Sequence, residues 1–305
     1  MKKVTLIICA CLLTFSMHAQ SFVTINNDPV TTAMGETEVS SAASAFSIYN
    51  NTASTSLTTD ICAVAYSYSP YMWNFSSGNH LHTIAGYYKL GSNHTLATGL
   101  RYFNKTNIML INEEGEDERV AKPKDLSVEV GYAYRLNETM GVAANVRLIH
   151  SNMDVSDMKG TSVGFDIGYY IRREKLTLGV VLSNVGSQIA YGVNKYDTPT
   201  WLKVGGSYEW IMSDKHRLTG SVQCDYHFQP DSEKGFSSGI GAEYSYNRFL
   251  YLRGGYCFTN DLKGYNQATM GIGGLIGFTK LNLAYVIAED GPLDKTMLMS
   301  VEFYF

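Results

Sequence analysis

Long apolar runs are missing from this 305-residue chain once its first twenty positions are passed. No later stretch approaches the roughly 18 consecutive apolar residues of a membrane-spanning helix, so helical spans are excluded. An excess of basic charge is missing as well. The 24 Lys and Arg against 28 Asp and Glu leave a formal charge of −4, which offers no positive field for nucleic acid. Cysteine is sparse, and the three residues beyond the leader, Cys62, Cys224 and Cys257, lie far apart with no C-x-x-C spacing. That excludes a disulfide framework and leaves them as small apolar side chains on strand faces. The chain has no P-loop and no H-E-x-x-H zinc helix, and no nucleophile elbow is expected. The reading is therefore of a protein without cofactor, metal or enzymatic activity.

What is present begins with an address. Lys2 and Lys3 precede an apolar stretch, Val4 to Phe15, too short to cross a bilayer as a helix. Ser16-Met17-His18-Ala19 then places a small residue, Ala19, before Gln20. This is the layout of a secretory signal peptide over residues 1–19. Met17 departs from the small-x-small rule before the cleavage point.

The rest of the chain carries a two-residue rhythm about fourteen times over. In Leu126-Ser127-Val128-Glu129-Val130-Gly131-Tyr132-Ala133-Tyr134-Arg135-Leu136, even positions are apolar or aromatic and odd ones are small or charged. A strand built this way has one apolar and one polar face. Bracketing by turn signals gives strands at 60–69, 79–91, 94–107, 125–137, 140–152, 159–173, 175–186, 199–212, 216–229, 235–247, 248–259, 266–278, 280–289 and 295–305. Short connections alternate strictly with longer ones, which a soluble Greek-key sandwich would not sustain. The pattern predicts an all-β fold: a transmembrane antiparallel up-and-down β-barrel of about 14 strands, at 60–305, with tight periplasmic turns and longer external loops. The 28 glycines, 22 tyrosines and only 6 prolines suit such a barrel, as does a mean hydropathy of −0.10. Its apolar face would meet outer-membrane lipid. The last strand agrees, with Met297, Met299, Val301, Phe303 and Phe305 on one face.

The same alternation predicts a lumen lined by Arg101, Glu129, Arg135, Arg147, Asp166, Arg172, Lys203, Glu209, Asp225, Glu243, Arg253 and Glu302. Both signs are equally represented. That favours mutual pairing over a selective ion pore. A barrel this wide is not filled by its own side chains. Residues 20–59 are rich in Ser, Thr, Ala and Asn but keep apolar anchors at Phe22, Val23, Ile25, Val39, Phe46, Ile48 and Tyr49, so they are expected to form an N-terminal plug. For partners, two external loops stand out. One carries Tyr71, Trp73 and Phe75, as suited to a partner as to an aromatic belt. The other carries Glu113, Glu114, Glu116 and Asp117, which reads first as a solvated charge run. His80 and His82 share a strand face without a carboxylate or cysteine nearby to complete a metal shell.

The N-terminal segment also carries a resemblance. Ala33-Met34-Gly35-Glu36-Thr37-Glu38-Val39, then Ala45-Phe46-Ser47-Ile48-Tyr49-Asn50-Asn51-Thr52-Ala53, resembles the start of the PorV/PorQ family, within the wider FadL-like barrels. Met34, Gly35, Glu36, Val39, Tyr49, Asn51 and Ala53 match its pattern. Glu38 stands where that family usually has glycine, and Thr52 where it has proline. The resemblance implies a role in type IX secretion. There the barrel would bind and shuttle exported cargo and meet surface-attachment partners. The more distant FadL-like branch implies the alternative, transport of a hydrophobic small-molecule ligand across the outer membrane. No catalytic residues transfer from either.

Overall fold

The computed structural model describes residues 21–73, 76–111, 117–155, 158–231, 234–259, 266–288 and 293–305. Its strands, numbered along the chain, begin with β1 (Cys62–Pro70), β2 (His80–Lys89) and β3 (His94–Asn104). A hairpin follows, β4 (Ile108–Ile111) and β5 (Asp117–Ala121). Then come β6 (Lys124–Arg135), β7 (Met140–Asn152), β8 (Lys159–Arg173) and β9 (Leu176–Gly186). A second hairpin is β10 (Ile189–Tyr191) and β11 (Asn194–Tyr196). The chain continues through β12 (Trp201–Ile211), β13 (His216–His227), β14 (Gly235–Tyr246) and β15 (Leu250–Thr259). It ends with β16 (Gln267–Ile276), β17 (Thr279–Ala288) and β18 (Met297–Tyr304).

Leaving the two hairpins aside, these strands form a closed 14-stranded antiparallel barrel in which each pairs with its neighbours in sequence. It closes where β1 meets β18, with Tyr66 opposite Val301, and Phe305 N–H donates to the Cys62 carbonyl at 2.9 Å. Closure leaves no open sheet edge, which is what a wall facing lipid requires. The two hairpins are the difference from the sequence reading, which took 108–124 and 187–198 as plain loops. Each is too short to have shown a period of its own.

Alternation sets the two faces. Along β6, Asp125, Ser127, Glu129 and Ala133 are buried, while Val128 and Tyr132 are exposed and Val130 is 56% exposed. The outward face is apolar around the whole circumference, with Val64, Ile84, Leu100, Ile167, Val222, Ile240, Leu252 and Ile272 among its exposed residues. So large an apolar surface on a monomer marks a lipid-facing wall. Aromatic rings sit at its ends, as in Phe278 with Phe303 and Phe305, and Tyr226 with Phe236. One arrangement recurs three times: a histidine opposite the second tyrosine of a Tyr-x-Tyr, with the first hydroxyl at its Nδ1. His82 does so with Tyr66 (2.8 Å), His94 with Tyr132 (2.5 Å) and His216 with Tyr244 (2.7 Å). His80 pairs likewise with Tyr68.

Residues 21–58 run through the lumen as 3-10 turns and one short α-helix (Pro29–Ala33). Asp28 caps that helix, accepting from Val30 N–H at 2.9 Å. Phe22, Val23 and Ile25 pack with Leu81, Phe103 and Ile149 near the long-loop end. Phe46 and Ile48 lie against Ala63, Ala65, Ala85 and Ala97, and Leu57 reaches Ala133 and Ala143 near the short-turn end. Around Phe46, Ile48 and Leu57 the wall answers large side chains of the segment with alanines. Glycines extend that rule. A Cβ added to Gly239, Gly241 or Gly255 would strike the backbone of Met34 or Gly35. Gly35 itself has φ of +67°, a conformation that L side chains rarely adopt.

Candidate functional site

The lumen has two charged faces. On β3, β6, β7 and β8 the charges form a ladder inside the wall. Arg101 (1% exposed) pairs with Glu129 (0% exposed), Arg147 Nε lies 2.7 Å from the same carboxylate, and Arg147 Nη2 lies 2.8 Å from Asp166. Asp166 stands at a bulge between β8 and β9 and accepts from Asn184 N–H at 2.5 Å. Asn184 has φ of +60°, and its Oδ1 accepts from Arg147. Two guanidiniums and two carboxylates thus neutralise one another where water is excluded. The segment touches this ladder only through neutral groups. Val23 O accepts from Arg101 at 2.8 Å, and the Arg101 guanidinium lies 4.5 Å from the Tyr49 ring centroid.

On β12 to β16 the segment adds carboxylates of its own to those of the wall. Glu38 pairs with Lys203, and Glu38 and Val39 N–H both donate to Gln223 Oε1, at 2.8 and 3.0 Å. Glu36 accepts from Gln267 Nε2 at 2.9 Å. Thr37 and Ser221 hydroxyls are 2.5 Å apart. Burial, reinforced by the neighbouring charge of Glu38, raises the Glu36 carboxyl above its ordinary pKa. Burial raises Asp28 too, although Val30 N–H and Asn50 favour its charged form.

The motif residues act as fasteners. Met34, Val39 and Ala53 are buried. Asn51 donates to Val39 O at 3.0 Å and to Tyr169 O at 3.1 Å, and its Oδ1 accepts from Ala53 N–H. Glu38, the residue that departs from the family pattern, holds the ion pair to Lys203. Thr52 donates to Ser47 O at 3.3 Å.

Of the predicted lumen charges, Arg253 and Glu243 also pair, at 2.6 Å, and Glu302 accepts from Ala45 N–H. Glu209 pairs with Arg217, a residue the alternation should have included. Arg135 and Arg172 stand at the short-turn rim, where Arg172 donates to Leu57 O at 2.7 Å. Asp225 accepts from Gln223 at 3.2 Å. Asn145, Gln223 and Gln267 escape a search for charge because they are amides, although their inward positions follow from the same period; Asn184 is out of phase with its strand and turns inward only at the bulge.

At the long-loop end the hairpins build a rim above β3 to β9. Arg119 and Lys122 N–H bind Asp154, and Lys122 N–H, the main cause, holds that carboxyl below its ordinary pKa. Ile189 and Tyr191 are buried with Met153. Met109, Ile111, Val120 and Val193 are exposed. Trp73 is 51% exposed, but Tyr71 packs edge-on against Phe103 and lines the apolar cluster, so it serves the core. Asp117 opens β5, while Phe75, Glu113, Glu114 and Glu116 lie outside the described residues.

Two chemical readings meet the geometry. Among the described residues no group of His, Cys, Asp or Glu could hold a metal. Gly235-Phe236-Ser237-Ser238-Gly239 does spell G-x-S-x-G, contrary to the sequence reading, and Ser237 Oγ lies 3.0 Å from His227 Nε2. Ser237 sits within β14, paired with Asp225 and Thr259, and not on the strand-to-helix turn that exposes a nucleophile. A cavity of about 10 Å³ between segment and wall is lined by polar groups including Asn51, Thr52, Asn145 and Asp166. It has room for about one water molecule.

Comparison with known proteins bears on this geometry. The family model described as type IX secretion system protein PorV matches residues 14–233. Among solved structures, the Pseudomonas putida toluene transporter TodX superposes with a TM-score of 0.63 at 13% identity, covering 89% of this chain and 95% of that one. The Ralstonia pickettii toluene transporter TbuX gives 0.61 at 15% identity, covering 91% and 98%. A Pseudomonas aeruginosa FadL homologue gives 0.55 at 9% identity, covering 91% and 95%. These likenesses are of fold. No protein of curated function matches the sequence.

Proposed function

Since the chain belongs to the PorV family of type IX secretion system proteins, we propose that it is a non-enzymatic outer-membrane component of that system, one that binds exported cargo or surface-attachment partners at its long-loop rim. Residues 21–58 act as a fixed plug, and residues 1–19 as the signal peptide removed on export. The observation that carries this reading is the filled lumen. Polar fasteners and paired charges seat the segment across the barrel, so recognition falls to the rim. There the hairpin β4–β5 and the tip of β10–β11 present Met109, Ile111, Val120 and Val193, and the loop after β1 presents Trp73, all exposed. Apolar and aromatic side chains held on short, braced strands suit a protein partner.

A second reading, transport of a hydrophobic small molecule, draws on the fold shared with the toluene transporters and on the apolar cluster of Phe22, Leu81, Phe103 and Ile149 at the outer end of the lumen. Purification of the tagged protein from outer membranes in mild detergent, with mass spectrometry of what accompanies it, separates the two. Co-purification of secreted proteins, together with their periplasmic accumulation on deletion of the barrel, is the expected result. A barrel that carries only lipid, with secretion unaffected by deletion, would overturn the export reading in favour of transport.

A further inference from the structure

The outer half of the lumen along β12 to β16 has a composition unlike the rest. Three rows of inward side chains lie one above another on adjoining strands. Trp201 pairs with His227 in the top row. Lys203, Asp225, Ser237 and Thr259 make the next, and Gln223, Cys257 and Gln267 the third. Glu36 and Glu38 face them from the segment. Lys203 is committed to Glu38 and lies 4.6 Å from the Trp201 ring centroid. Lys203 also faces Asp225 across the strand pair, so one ammonium serves three carboxylates, and Glu36 and Asp225 make no ion pair of their own among the described residues. Four buried polar atoms in the patch also have no hydrogen-bond partner there: Asp225 Oδ1, Gln267 Oε1, Thr259 Oγ1 and Trp201 Nε1. Asp225 is 9% exposed and Gln267 4%.

Two unpaired acceptors, Asp225 Oδ1 and Gln267 Oε1, in a patch of three carboxylates and one ammonium select a cation that brings its own N–H donors. A guanidinium or primary ammonium does so, and a quaternary ammonium cannot. Trp201 Nε1 is a donor only, so it asks for a neutral acceptor close to that cation. We propose that this patch is a binding site for an N–H-bearing organic cation with an adjacent amide oxygen, the chemistry of an arginine or lysine residue. Asp225, Gln267 and Glu36 receive the cation, and Trp201 receives the amide. The site is independent of the rim and of the export reading.

The test uses the full protein in detergent and two probes, agmatine and N-acetyl-arginine amide, followed by calorimetry and by Trp201 emission in a W73F/W210F background. Tetraethylammonium at equal ionic strength is the control. The expected result is saturable binding of the guanidinium probes but not of tetraethylammonium. The amide should bind more tightly, and D225N should weaken binding about tenfold or more. Should D225N fail to fold, E36Q answers the same question. Agmatine binding as tightly as the amide keeps the cation site and assigns it to free amines. Tighter binding of the amide assigns it to a basic residue of a polypeptide. If no probe binds, if tetraethylammonium binds equally, or if the folded variants bind like the parent, the proposal is wrong.

Discussion

On the β3 to β8 side of the lumen, buried arginines and carboxylates meet inside the wall, and the N-terminal segment reaches that ladder only through neutral groups. On the β12 to β16 side, a wall lysine finds its carboxylate on the segment, and wall amides bind the segment's backbone and Glu36. The first side is electrostatically complete without the segment, and the second is not. Barrel closure and plug seating are therefore separable, and substitutions on the two sides should fail in different ways. Glu129→Gln tests the self-contained side. It leaves Arg101 and Arg147 buried with Asp166 as their one remaining carboxylate, and should lower the unfolding free energy by about 3–5 kcal/mol. Denaturant unfolding followed by tryptophan emission measures this. A loss no greater than that of Glu38→Gln would erase the distinction.

Gly35→Ala tests the other side through shape. The added Cβ would lie 2.7 Å from Tyr256 O and 2.8 Å from its N, on a residue with φ of +67°. Strain and overpacking together should weaken seating by about 2–4 kcal/mol. The expected signature is cleavage by Glu-C at Glu36 and Glu38 while the barrel keeps its heat-modifiable mobility. A barrel that unfolds together with its segment would argue that the two are one cooperative unit. The ion pair is the next smaller effect. Glu38 and Lys203 are mostly but not wholly buried, and a double-mutant cycle of Glu38→Gln and Lys203→Met should show a coupling of about 1–2 kcal/mol. A coupling near zero would mean that hydrogen bonds alone hold this side.

The barrel was legible because its signal repeats. A single strand such as Trp201–Ile211, with glycines at 205 and 206, says little. Strict alternation of short and longer connections along the chain says much. The lumen charges followed from the same period, but their partners did not. Glu129 and Arg147 stand opposite each other on paired strands, so that contact is implied by register. Lys203 and Glu38 are joined only through the fold of the segment, where 3-10 turns carry no readable period. Tyr71 misled for a related reason. An aromatic in a loop reads as exposed, and only the position of Phe22 and Phe103 turns it inward.

The smallest effect concerns pH and rests on Glu36. Burial and the charge of Glu38 hold its carboxyl above the ordinary value of 4.5. An acid whose pKa is raised on folding binds its proton more tightly in the folded state. Its contribution is full below about 4.5 and is lost as the pH climbs through the raised value. Seating of the segment should therefore tighten as the medium is acidified from neutrality, the opposite of the usual acid destabilisation by paired carboxylates. The wild-type curve alone sums every titrating group and so does not isolate Glu36. Subtraction of Glu36→Gln isolates the term. The difference in melting temperature between wild type and Glu36→Gln should favour the wild type progressively as the pH falls from neutral towards 4.5. Parallel curves would show that Glu36 titrates alike in both states. The segment would then be seated by Gly35, Asn51 and the Lys203 pair without help from a buried proton.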